Sequence, residues 1–187
     1  MKSGWAAAVL VDGPAASPSV VARHVVTLSD PGIPAARQPY HAAMSVARPD
    51  SPELDRLVAS VKAYAAQSIA ELLAGIAEDG RGVTGAGLVV GSDIDPARIA
   101  NPHIRAHACE GRLFRAAVEA AVRSHDLPCT IFLERDLLAR ASEVLGRPAA
   151  GLKQTLTELG RSVDGGWRRD DKAATLAAWL VLSADRC

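Results

Sequence analysis

His103, His107 and Glu110 stand at i, i+4 and i+7 of a helical run, so their side chains share one face. Two imidazoles and a carboxylate are donors that suit zinc or another borderline metal, and such a centre could serve a single-metal hydrolase. The acid lies outside the histidine pair, unlike an H-E-x-x-H arrangement, and spacing alone identifies no fourth ligand. The plainer alternative is a solvent-bordering face whose histidines make ordinary hydrogen bonds. A second grouping is Arg161, Arg168 and Arg169 around Trp167, with Arg135, Arg140 and Arg147 flanking the preceding helix. Arginines could contact phosphates while the indole stacks on a base. Asp164, Asp170 and Asp171 offset that charge, so an ordinary charged surface with Trp167 covering the core is the competing reading. Gly80-Arg81-Gly82 and Gly85-x-Gly87 precede a strand and lack the Lys-Ser/Thr of a phosphate loop, which excludes that motif.

These residues belong to a chain of 187, a length expected of a single domain over 1–187. Hydrophobic residues are 49% and charged residues 22%, enough apolar surface for a full core. Basic and acidic residues number 21 each, so no net positive field draws in a polyanion, although a local basic face stays open. Cys109, Cys129 and Cys187 are odd in number and show no paired spacing, which points to a reducing, cytoplasmic setting. The apolar run Trp5–Val11 is cut by Asp12-Gly13-Pro14, too short for a leader or a membrane span, and reads as a strand.

Trp5–Val11 and Ser19–Leu28 are valine-rich runs about a turn-forming segment and predict an antiparallel hairpin. Residues 29–50 hold four prolines and read as an irregular connection. Ser51-Pro52-Glu53 opens a helix with a capping serine, a proline and an acid; apolar residues follow at helical spacing to Asp79-Gly80. Gly85–Gly91 and Pro128–Leu133 read as buried strands, and Pro102–His125 as a long helix between them. Helices near Asp136–Leu145, Leu152–Leu159 and Asp170–Ser183 complete the chain. This order predicts an α/β fold with a mixed sheet.

Pro128–Arg135, then Gly146-Arg147-Pro148, Lys153-Gln154 at a helix start and the Ala-rich Arg169–Ala178 follow one another in a distinctive order. With Glu110-Gly111-Arg112 ahead of them, this order resembles the Holliday-junction resolvase family of the ribonuclease H-like fold, over residues 80–185. The resemblance implies a ribonuclease H-like mixed sheet with an N-terminal antiparallel hairpin and flanking helices. It also implies a homodimer and carboxylates that hold Mg²⁺ or Mn²⁺, whose bound water attacks a phosphodiester. Carried onto this chain, the carboxylates are Asp12, Asp93 and Asp171, and the nucleic-acid contacts are Arg112, Lys153, Trp167, Arg168 and Arg169. Gly91 or Ser92 holds the family's strand-end acid position, with Asp93 beyond it. Asp12 is equally a hairpin turn residue, and Asp170 and Asp171 equally suit a helix N-terminus. The resemblance therefore implies a nucleic-acid-directed protein whose metal site is altered or lost, with a non-catalytic binding or assembly module as the alternative.

Overall fold

The computed structural model of the chain describes residues 1–44 and 51–184. The N-terminal hairpin forms from β1 (Trp5–Asp12) and β2 (Ser19–Thr27), antiparallel, with Trp5 opposite Thr27 and Asp12 opposite Ser19. Its turn needs the positive φ of +96° at Gly13, whose N–H donates to the Asp12 carboxylate. Asp12 thus ends the strand and caps the turn at once.

The proline-rich connection is more ordered than its composition suggests. Pro34–Arg37 form a 3₁₀ turn and Pro39–Met44 a short helix, α1; the remainder, 45–50, lies outside the described residues. Proline suits both starts because it has no N–H to leave unpaired. This corrects the expectation of an irregular segment throughout.

Helix α2 (Pro52–Glu78) begins as its sequence predicts: the Ser51 hydroxyl accepts from the Leu54 N–H, and Glu53 and Asp55 face the positive end of the dipole. It buries Leu54, Leu57, Val61, Ala65, Ile69 and Ile76. Strand β3 (Ala86–Val90) follows, then a 3₁₀ turn at Pro96–Arg98 and helix α3 (Pro102–Arg123). The Asn101 side chain caps α3 by accepting from the N–H groups of His103 and Ile104. Beyond it come β4 (Cys129–Leu133), α4 (Glu134–Leu145), α5 (Ala149–Leu159) and α6 (Arg169–Ala184). Gly146, at φ +61°, closes α4 in the left-handed conformation.

The fold is mixed α/β, but among the described residues its strands form two separate sheets rather than one. β1 pairs only with β2, and β3 pairs in parallel with β4, Ala86 opposite Cys129 through Val90 opposite Leu133. An apolar cavity of about 530 Å³ lies between β1 and β3, with α2 and α3 on one side and α6 on the other. Ala6, Ala8, Ala174 and Ala178 line it, too small to fill the gap. α6 approaches β3 closely, since a Cβ added at Gly87 would stand 2.9 Å from the Ala177 backbone. A short apolar run marks a strand but not its neighbour, so the expected continuous sheet was not determined by the pattern that marked its strands. Among the described residues, no helix is long and apolar enough to cross a membrane.

Candidate metal centre

α3 carries His103 and His107 one turn apart on its exposed face, with Glu110 a further turn along and fully buried. α1 packs on this part of α3 and brings His41 onto the same point. The ring centroid of His41 lies 4.8 Å from that of His103 and 4.1 Å from that of His107, and His103 and His107 are 4.8 Å apart. Ligand nitrogens of the three histidines all fall within 4.8 Å of one another, and among the described residues no other group of three potential ligands does so.

Glu110 stands behind the rings. Its Oε1 is 2.9 Å from His41 Nδ1 and also accepts from the His41 backbone N–H at 3.3 Å. A carboxylate accepts only, so Nδ1 is the donor in this contact, and in the neutral imidazole that tautomer leaves Nε2 with the lone pair. That Nε2 is buried and has no hydrogen-bond partner, and neither has Oε2 of Glu110. Oε2 faces Nδ1 of His107 at 3.7 Å, too long for a hydrogen bond and short enough to become one after a small rotation. His107 is 51% exposed on its side chain, which leaves the ring room to make that rotation. The sequence grouped Glu110 with the two histidines as a third ligand. The structure keeps the three together but makes Glu110 the group that orients the rings, as carboxylates do behind metal-bound histidines.

His41 is the residue that sequence reasoning missed. It sits 62 positions before His103 in a connection read as irregular, and only Pro39 hints at a helix there. Beside the cluster, the Cys109 thiol is pushed up from its ordinary range by burial, against the pull of Arg105, and with a further push from Glu110. Burial likewise raises the Tyr40 phenol, with Cys109 and Glu110 adding to it.

The carboxylates implied by the resolvase resemblance are not drawn into a comparable group. Asp12 pairs with Arg81 at 3.4 Å on the surface, and Asp93 pairs with Arg115. Asp171 is buried: Oδ1 takes the Arg23 guanidinium at 2.7 Å and Oδ2 the Arg168 N–H at 2.8 Å, so it ties the start of α6 to β2. Each of the three is engaged by a different cation.

The residues expected to meet nucleic acid also have local partners or stand apart. Arg112 lies 3.6 Å from Asp95, and Arg169 2.8 Å from Glu134. Trp167 donates its indole N–H to the Leu156 carbonyl at 2.7 Å and lies over Gly160, where an added Cβ would stand 2.2 Å from the ring. It therefore packs over the end of α5. Arg168 and Lys153 are exposed.

A cleft of about 720 Å³ opens beside the cluster at the carboxyl end of β3. His107 and Asp93 both line it, so the histidine face and the loop after β3 share one surface depression. Comparison with known proteins finds no matching family model, no matching curated protein and no matching solved structure.

Proposed function

We propose that this chain binds one borderline transition-metal ion, of the Zn²⁺ type, through His41, His103 and His107, and that the ion acts as a Lewis acid in hydrolysis. One observation carries the reading. The two buried side-chain polar atoms without a partner among the described residues, His41 Nε2 and Glu110 Oε2, both belong to this cluster. A buried polar atom without a partner is unfavourable by roughly 1–3 kcal/mol, so two of them together call for an occupant. A metal on the three rings supplies a bond to His41 Nε2 and, by fixing His107, a donor to Glu110 Oε2. Nitrogen donors favour Zn²⁺ over Mg²⁺, and three protein ligands leave a fourth position for water. Metal–nitrogen bonds of about 2.1 Å require the rings to draw in slightly, which the exposed His103 and His107 can do.

Calorimetry on chelator-stripped protein tests this directly. Zn²⁺ should bind at one equivalent, with affinity lowered more than about 100-fold in His107→Ala and about 10–100-fold in Glu110→Gln. Zn²⁺ heat that survives unchanged in both variants would sink the proposal.

A second reading keeps the ribonuclease H-like, resolvase-related fold as a nucleic-acid-directed module without catalysis. The packing of α6 across both β1 and β3 supports that fold, and the separate ion pairs of Asp12, Asp93 and Asp171 favour the non-catalytic form. Mn²⁺ binding lost in an Asp171→Asn variant that keeps native ellipticity, together with nicking of branched DNA, would instead favour a nuclease.

A further inference from the structure

We infer that the cleft beside His107 takes an elongated ligand with an oxyanion at each end, one on the metal and the other on Arg115. The inference rests on the metal reading above and names what that centre acts on. His107, Gly111 and Arg115 stand at i, i+4 and i+8 of α3 and line the cleft as one stripe. Their first and last Cα atoms are about 12 Å apart along a helix, and the arginine side chain leans back toward the N-terminus, so the span to be bridged is about 10 Å.

Gly111 leaves the floor of this stripe open. A Cβ built there would meet nothing within 4 Å, and the same holds for Gly91 on the loop after β3. At the far end Arg115 is held, with 26% of its side chain exposed, against an Asp93 carboxylate that is 63% exposed. The fixed guanidinium already faces one carboxylate, and that carboxylate sits on a solvent-facing loop from which it can turn away. An incoming oxyanion would take its place in the geometry that a planar guanidinium prefers.

The charges explain why the metal must come first. Lys2, Arg112 and Arg115 line the cleft against Asp93, Asp95 and Glu119, three of each sign. All six are paired: Arg115 with Asp93, Arg112 with Asp95, Lys2 with Asp170 and Glu119 with Arg123. Without a metal the side chains of the cleft carry no surplus charge for an anion, and the Met1 amine that also lines it is held below its ordinary range by burial. A divalent ion over the single Glu110 carboxylate provides one, at the end opposite Arg115.

The test uses the full chain loaded with Co²⁺, whose visible spectrum reports the metal's coordination, and a series of straight-chain dicarboxylates from succinate to sebacate, with octanoate as the one-ended control. Affinity should peak at suberate to sebacate, about tenfold or more above succinate and octanoate. Arg115→Gln should bring sebacate down to octanoate while the Co²⁺ spectrum of the unliganded protein stays unchanged. Gly111→Leu should weaken the long diacids and leave acetate binding to the metal intact. Affinity that is flat with chain length, or indifferent to Arg115, overturns the inference and leaves the metal centre standing. Diacid binding of equal strength in the metal-free protein also overturns it. Absence of a Co²⁺ spectrum removes the metal centre itself, and this inference with it.

Discussion

Asp171 shows how one residue type in one sequence context can hold opposite roles. An aspartate at the start of a helix suits capping, and a carboxylate on the last helix suits a metal; neighbours in space decide between them. Here Arg23, from a strand 148 positions earlier, and the Arg168 N–H saturate it at 2% side-chain exposure. Breaking such a pair leaves the partly buried Arg23 without its carboxylate, so Asp171→Asn should destabilise the fold by about 2–3 kcal/mol, read as a lowered urea midpoint. Asp93→Asn, on an exposed pair, should shift stability by less than about 1 kcal/mol. Equal midpoints for the two variants would remove the structural role assigned to Asp171. Cys109 carries a pH signature of its own. Burial disfavours its thiolate and raises its titration, so alkylation by iodoacetamide near pH 7.5 should be slower than that of a free cysteine. The rate should climb only at distinctly alkaline pH, a profile readable by peptide mass mapping.

At the scale of elements, α3 is the rigid ruler of the site, and its first turn is fixed by the Asn101 cap. His103 is the second residue of that helix, so fraying there would disperse the ligands. Asn101→Ala should lower stability by about 1 kcal/mol and weaken Zn²⁺ binding, with ellipticity and calorimetry as the two readouts. Zn²⁺ affinity unchanged alongside a lost cap would separate helix order from ligand order. The close approach of α6 to β3 depends on Gly87 in the same way. Gly87→Ala places a methyl against the Ala177 backbone, an overlap expected to lower stability by about 1–3 kcal/mol. A wild-type melting temperature for that variant would show that α6 can shift outward at little cost.

Across the whole molecule, the packing of α1 on α3 is what turns a pair of histidines into a three-ligand cluster. Metal binding as proposed would therefore tie a six-residue helix to a long one. A ligand that binds only the folded form stabilises it, by about 2.7 kcal/mol at a hundred times the dissociation constant. Zn²⁺ should accordingly raise the melting temperature and slow amide exchange in Pro39–Met44 more than in α5, which carries no ligand. Exchange that slows equally in both would mean general stabilisation rather than a link made through His41.

The sequence by itself determined most of the elements. Valine-rich runs and turn residues marked β1 and β2, and the Ser51-Pro52 start and helical spacing marked α2, because these signals act within a few residues of the chain. It also placed His103, His107 and Glu110 on one face, since helical spacing is local geometry. It could not pair strands, and so a continuous sheet was expected where β1 and β3 stand apart across a cavity lined by alanines. Nor could it find His41, give Glu110 its place behind the rings, or tell a ligand aspartate from the partner of Arg23. Those facts depend on which residues meet across 60 to 150 positions of chain, and only the packing of helices and sheets decides that.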